Sequence, residues 1–247
     1  MFFQADPGTS RAGSIAACME YPHNRPYTAD DLVRIITLLR DPVNGCPWDK
    51  VQTHTSIRMN FLEEAYEAVD ALDLDDPVLM CEELGDVLMQ VAFHTCMEQE
   101  TGRFTWEQVC DGVCQKLIER HPNIFGTQPG YEGITDWDAL KNKEKGRRTL
   151  ADDLESVPRA MPALMRAAKL QKRAARHGAA LQGADAAALA DAAENLQTVQ
   201  PASAQAEQAV GELLFAAANL ARQAGVDPEQ ALQKANEAFC TAAGPVA

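Results

Sequence analysis

The sequence predicts an all-α protein, and three observations carry that expectation. Ala and Leu abound while aromatic residues make up only 6% of the chain, a balance that favours helices over sheets. No stretch alternates apolar and polar residues as a half-buried strand does; apolar residues recur instead at three- and four-residue spacing. Hydrophobic residues form 46% of 247, enough to bury a real core, which excludes global disorder.

Residues 1–28 scatter Pro7, Gly8, Gly13, Pro22 and Pro26 among polar side chains and read as a poorly ordered tail. Thr28-Ala-Asp-Asp opens a helix over 32–40, with acids in its first turn. Asp41-Pro-Val-Asn-Gly-Cys-Pro-Trp is a loop. A helix over 55–74 follows, and Asp75-Asp76-Pro77 starts the next, 78–99, which ends before Gly102. Thr105 caps a helix over 106–120, stopped by His121-Pro122. Beyond a loop, 123–135, come a short basic helix near 136–148 and a linker over 151–162. A helix over 163–177, an Ala- and Gln-rich stretch, and helices over 205–223 and 228–239 complete the chain.

There is an internal echo. Leu84-Gly85-Asp86-Val87-Leu88-Met89 resembles Val210-Gly211-Glu212-Leu213-Leu214-Phe215 at an offset of 126, and a Gly, a capping residue and a Glu-Gln pair follow each. Two copies of one helical unit is the economical reading. The expected organisation is a tail, 1–28; a first unit, 29–148; a linker and connecting helix, 149–178; and a second unit, 179–247.

The formal net charge of −14 argues against a nucleic-acid binder, which needs a basic footprint. No segment approaches the ~20 apolar residues of a membrane span. The first 26 residues lack a basic region followed by an apolar one, so no secretory signal is read and the expected location is the cytoplasm. Seven cysteines, an odd number without a C-x-x-C pair, read as thiols in a reducing compartment, Cys110 and Cys114 as core packing.

The informative residues are acidic. Glu63, Glu64, Glu67 and Asp70 fall on the second helix, Glu82, Glu83 and Asp86 on the third. Acids at helical spacing usually form a solvated face. From Leu79 to Met97, however, these three acids are the only formally charged side chains, and a helix apolar around most of its circumference is a buried one. Carboxylates there are costly unless something cationic satisfies them. On a helical wheel Glu64 and Glu67 flank the stripe Phe61, Leu62, Ala65, Ala68, Val69, Leu72; Glu83 and Asp86 flank Met80, Leu84, Val87, Leu88, Val91. Two antiparallel helices joined by a short turn bring these four carboxylates together. Oxygen-only ligands select Mg²⁺, with Mn²⁺ as substitute, over zinc. A di-iron bundle would need Glu-x-x-His pairs, and neither acid cluster has one. Gly85, between the acids, leaves room for a ligand or for close helix approach.

Three segments together resemble the MazG family: Gly45-Cys46-Pro47-Trp48-Asp49-Lys50-x-Gln52-Thr53-His54, Leu62-Glu63-Glu64-Ala65-Tyr66-Glu67, and Glu82-Glu83-Leu84-Gly85-Asp86. Arg120-His121-Pro122, Trp137, Lys141, Lys143-Glu144-Lys145, Val157-Pro158-Arg159 and Lys169-Leu170-Gln171-Lys172 extend the resemblance to residues 31–240. It implies an all-α bundle that dimerises, here as tandem units. It implies hydrolysis of nucleoside triphosphates to monophosphate and pyrophosphate, as nucleotide-pool housecleaning. It also implies Mg²⁺ ligands at Glu64, Glu67, Glu83 and Asp86, the four that the wheel selects. Glu63 and Glu82, as catalytic candidates, either orient water or are solvated neighbours. Lys141, Lys143 and Lys145, with Arg147 and Arg148, are a solvated run or a phosphate-facing one. Trp48 stacks on a base or packs in the core. His54 and His121 read as structural.

The second half departs from the family pattern. Its ligand positions align as Glu194, Gln197, Ala209 and Glu212; Ala179-Ala-Leu-Gln replaces a Phe-Asp-Trp-like segment, and basic residues are missing after Phe239. The expectation is a structural unit that packs Leu213, Leu214, Phe215 and Leu220 inward, with Asn219, Lys234 and Asn236 left for weak nucleotide contact. Two other functions compete: a non-catalytic helical adaptor, and a pyrophosphatase dedicated to one nucleotide such as phosphoribosyl-ATP or dUTP.

Overall fold

The computed structural model describes residues 20–21, 25–122, 124–126, 146 and 149–244. Among them the chain forms nine α-helices and a 3-10 turn at Asp49–Val51, with no strand, so the fold is all-helical. Two compact units emerge, Met1–Gly133 and Ile134–Ala247. No helix of the described residues is long and apolar enough to cross a membrane.

In the first unit each helix begins where a capping side chain can satisfy its free amides. Thr28 and Asp31 form a capping box for α1, Ala29–Leu39, and Thr53 and Ser56 form one for α2, His54–Asp73. Asp76 accepts from Val78 and Leu79 N–H and Pro77 takes the first helical position of α3, Pro77–Glu100. Thr105 and Gln108 cap α4, Trp106–Arg120. Each such cap stabilises its helix by ~1 kcal/mol. α1 starts three residues before the expected position because Thr28 is itself the cap.

α3 is the spine, with α1, α2 and α4 packed on it. Its C-terminal half buries Ala92, Phe93, Cys96 and Met97 against Val33 and Ile36 of α1, Ile57 of α2 and Trp106 of α4. Fully burying a side chain of the Ile or Phe class contributes roughly 1.5–3 kcal/mol. The N-terminal half behaves otherwise. Val78, Leu84 and Leu88 are 76%, 51% and 40% exposed, so the all-round burial expected of this helix holds only beyond Met89. Leu84 and Leu88 face outward, as do Val69 and Leu72 of α2. Cys110 packs against the core, but Cys114 is exposed, which corrects its reading as a core residue.

In the second unit, residues 149–178 are more than connection. Thr149 and Asp152 form a capping box for α5, Leu150–Glu155, inside the stretch expected as linker. Asp153, 1% exposed, meets Arg173 and His177 of the next segment, at 3.1 and 3.2 Å. Arg173 lies on α6, Ala163–Arg176, which packs against α8, Ala204–Gln223. The Ala- and Gln-rich stretch is helical as well: Asp185 caps α7, Ala186–Thr198, which pairs with α8 as α2 pairs with α3. α9, Pro228–Ala243, follows an Asp-Pro start like that of α3. The inward face of α8 is built from Ala209, Ala216, Ala218 and Asn219, whereas Leu214 is 43% exposed. Small side chains let the helices approach closely; of the expected face Leu213, Phe215 and Leu220 are half-buried and only Leu214 turns outward.

Candidate metal centre

The three-residue connection Leu74-Asp75-Asp76 folds α3 back along α2, so acids near the middle of α2 meet acids one to two turns into α3. Glu64, Glu83 and Asp86 each offer a carboxylate oxygen, and these atoms lie within 4.8 Å of one another. All three are half-buried. Glu67 is exposed and stands outside that trio, yet its carboxyl interacts with that of Glu64. The trio draws on both helices, so it depends on the hairpin and not on local sequence alone.

The electrostatics show an unmet need for positive charge. Burial pushes the Glu64 carboxyl above its ordinary pKa, opposed by a hydrogen bond from Gln90 and reinforced by the charges of Asp86 and Glu67. Burial likewise raises Glu83, with Asp86, Glu82 and Glu64 adding to it. Gln90 is the residue that the sequence reading missed. It lies four residues after Asp86 on the same face, is 7% exposed, and donates Nε2 to Glu64 Oε1 at 3.3 Å. Its signal was a lone amide continuing the 83, 86, 90 spacing on an apolar helix. A Cβ at Gly85 would meet nothing within 4 Å, so this glycine does not serve a close approach of helices within the chain and leaves open space beside the acids.

Glu63 and Glu82 are both exposed, and Glu82 exerts its charge on Glu83. Trp48 is 57% exposed, and its ring meets Phe93 edge-on at 6.5 Å, so it is not a core residue. The loop that carries it is held from both ends. Asp41 Oδ1 accepts from the N–H of Val43 and Asn44 at 2.9 and 2.7 Å, which holds its carboxyl below the usual range. Gly45 lies so close to the preceding chain that a Cβ would fall 2.4 Å from the Asp41 carbonyl oxygen and 2.5 Å from that of Leu39. Arg40, 8% exposed, pairs with Glu100 and donates to the carbonyls of Asp49 and Gln52 at 2.7 and 3.2 Å. Lys141, Lys143 and Lys145 lie outside the described residues.

His54 is structural. Its Nε2 meets Glu98 at 2.5 Å, and its ring stacks on that of His94 at 5.0 Å. His121 Nδ1 lies 2.7 Å from the Leu117 carbonyl oxygen.

The α7–α8 hairpin carries a cavity of about 760 Å³, lined among others by Asp191, Asn195, Gln208, Gly211 and Glu212. Glu194 and Gln197, aligned by sequence with the first acid pair, are exposed and are not among its lining; Asp191 and Asn195, exposed as well, line it instead. The connection before α8 is also longer, Val199 to Ser203 against Leu74 to Asp76. Ala209 is buried, so no third acid stands there. Asn219 is engaged in structure, donating Nδ2 to the Ala184 carbonyl at 2.5 Å, while Lys234 and Asn236 are exposed on α9.

The fold and the site therefore define an all-helical protein with a carboxylate centre between two antiparallel helices, suited to a hard divalent cation. Comparison with known proteins makes the class specific. The family model of the MazG nucleotide pyrophosphohydrolase domain matches residues 52–125, the stretch from the end of the Trp48 loop through α4. The chain is 41% identical over 221 residues to a nucleoside triphosphate pyrophosphohydrolase of Escherichia coli (strain K12), covering 85% of this chain and 83% of the relative. It is 39% identical over 212 residues to a nucleoside triphosphate pyrophosphohydrolase/pyrophosphatase MazG of Thermotoga maritima, covering 85% and 82%. A nucleoside triphosphate pyrophosphohydrolase of Mycobacterium tuberculosis is 35% identical over 151 residues, 60% of this chain and 46% of its own length. The chain belongs to the MazG nucleotide pyrophosphohydrolase family, a family of hydrolases.

Proposed function

We propose that this chain hydrolyses nucleoside triphosphates to monophosphate and pyrophosphate, with Mg²⁺ held by Glu64, Glu67, Glu83 and Asp86. The observation that carries the reading is the trio of carboxylate oxygens within 4.8 Å, drawn from two helices. The donor set fits the ion: all oxygen, half-buried, and with Glu64 and Glu83 raised in pKa by burial and by neighbouring acids. Bound there, Mg²⁺ would neutralise the phosphates and lower the pKa of the attacking water. Gln90 fixes the orientation of Glu64, so that one ligand is set before any ion arrives. Glu63 and Glu82, each exposed and adjacent in sequence to a ligand, are the candidates to orient water. Trp48 presents an exposed indole for stacking on a base. Lys141, Lys143 and Lys145 are assigned to the phosphates on sequence alone.

The first unit, 29–148, is the catalytic one, and 179–247 is a second MazG-like unit in which Gln197 and Ala209 replace acids at two of the four ligand positions. Support comes from the α7–α8 pair, which repeats the α2–α3 arrangement with Ala209 at the third ligand position. A homodimer would cover Leu84, Leu88, Val69 and Leu72, which a single chain leaves exposed beside the acids. Six free cysteines among the described residues fit a reducing cytoplasm, and housecleaning of the nucleotide pool is the assigned role. The test is pyrophosphate release with Mg²⁺ over a competition panel of ordinary and damaged nucleotides. Expected is turnover, with the panel reading out which base is preferred; absence of release from every triphosphate would favour the adaptor reading.

A further inference from the structure

The two units differ sharply in charge. Residues 1–133 hold nine Lys and Arg against 22 Asp and Glu, a balance of −13, whereas 134–247 hold 13 against 14, a balance of −1. α6 concentrates the difference: Arg166, Lys169, Lys172, Arg173 and Arg176 stand on it without a single acid. Arg173 turns inward to Asp153, but Lys169 and Lys172 do not. They line a cavity of about 650 Å³, and Arg222 of α8 lines it with them.

Three features separate this cavity from an ordinary solvated face. Lys169 and Lys172 are three apart on one helix, where like charges repel, and Arg222 adds a third cation. None of the three forms an ion pair among the described residues. Arg222 is also oriented in advance. Asn219, 2% exposed, accepts from its Nε at 2.9 Å, which leaves the terminal nitrogens of the guanidinium for a further partner. Position in the last turn of α8 accounts for a cation at Arg222 through the helix dipole, but Lys169 sits mid-helix and has no such explanation. Asp227 is the one carboxylate on the lining, and it is engaged as the cap of α9, accepting from Gln230 N–H at 3.0 Å. Met161, Met165 and Val226 supply an apolar wall beside the cations.

We infer that this cavity binds a phosphate chain, either inorganic pyrophosphate or the polyphosphate of a nucleotide whose base lies on the Met161, Met165 and Val226 wall. Three converging cations match the charge of a diphosphate, Arg222 supplies the fork that phosphate oxygens accept, and the volume lies in the range of small-ligand sites. The site is separate from the acid cluster and needs no divalent ion. It therefore stands whether or not the first unit hydrolyses triphosphates.

Calorimetric titration of the full chain in EDTA tests it, because without metal the acid cluster repels anions. Sodium pyrophosphate is one arm and ATP the other. Saturable binding of one or both is expected in the wild type, tighter for ATP if the apolar wall seats the base. Lys169→Gln with Arg222→Gln should weaken it at least ~10-fold, and so, to a lesser degree, should Lys172→Gln alone, an exposed position that leaves the fold untouched. Glu83→Gln should leave it unchanged. No saturation by either ligand in the millimolar range overturns the inference. So does equal binding by the wild type and by Lys172→Gln and a folded Lys169→Gln/Arg222→Gln protein, or binding that only Glu83→Gln alters.

Discussion

Glu64→Gln should make the metal-free protein more stable while it abolishes the response to Mg²⁺. Glu64 and Asp86 bring carboxylate oxygens within 4.8 Å, and two unit charges at that range repel by roughly 0.9 kcal/mol in water. Partial burial strengthens the repulsion and salt weakens it, so about 1 kcal/mol is a fair figure. The amide oxygen of the glutamine still accepts from Gln90, so the contact at 3.3 Å survives the substitution. For a unit of 133 residues in a chain of 247 that gain raises the melting temperature by roughly 2–4 °C. Mg²⁺ at 100 times its Kd adds ~2.7 kcal/mol to the wild type through mass action, and the variant forgoes most of it. Calorimetric melts of both proteins in EDTA and in millimolar Mg²⁺ give all four numbers. If the variant melts lower than the wild type in EDTA, and Mg²⁺ raises both equally, the acids are a solvated face and not a metal site.

The remaining expectations concern activity, pH, the loop and assembly. Glu64→Gln, Glu67→Gln, Glu83→Gln and Asp86→Asn should each cut pyrophosphate release at least ~100-fold with helicity intact, whereas Glu212→Gln should change it less than ~3-fold; near-normal turnover in any two of the four refutes the ligand assignment. The pKa values of Glu64 and Glu83 are raised in the folded state, so it binds more protons there than the unfolded chain, and these groups cost stability as pH climbs through and just above the ordinary glutamate range, about 4 to 5. The stabilisation of Glu64→Gln over the metal-free wild type should therefore be present at neutral pH and vanish below that range; a difference independent of pH contradicts this. Gly45→Ala, with its Cβ 2.4 to 2.7 Å from three backbone atoms, should destabilise by about 1–3 kcal/mol and displace the Trp48 loop, read as a fall in Tm and in kcat/KM. Leu84→Glu with Leu88→Glu should yield a monomer in sedimentation, and an unchanged mass would remove the face beside the acids as the interface.

The helices were legible where capping and periodicity agreed. Thr105 and the 3.6-residue apolar pattern placed α4, Trp106–Arg120, at both ends. They were illegible where alanine blurs the contrast between faces: α7 has no apolar stripe to find, only the cap at Asp185. α5 was passed over because a six-residue helix offers less than two turns of pattern, although Thr149 and Asp152 announced it. In the acid centre the wheel selects Glu64, Glu67, Glu83 and Asp86 because that geometry is local to each helix; the fold brings three of them together and leaves Glu67 exposed beside them. The wheel placed Leu84 and Leu88 on the buried stripe because a wheel knows a helix's faces but not how many of them a neighbour covers. Gln90 escaped because an uncharged amide on an apolar helix carries no charge signal, and only the fold shows that it reaches Glu64.

On the proposed reading of the second unit as a MazG-like copy, its cleft carries fewer acids than the first. Where α2 and α3 oppose half-buried acids, α7 and α8 oppose Asp191 and Asn195 to Gln208 and Glu212, and Gln208 Nε2 donates to Glu212 at 2.8 Å. That bond gives the Glu212 carboxylate a partner within the protein, while Asp191 and Asn195 are exposed to solvent. The seam beneath it is closed by Ala209 and Ala216, which need no packing partner of matched shape. The second unit thus keeps Asp191 and Glu212 in its cleft, and Lys169 and Lys172 of α6 with Arg222 of α8 line a separate cavity suited to a ligand that carries its own negative charge.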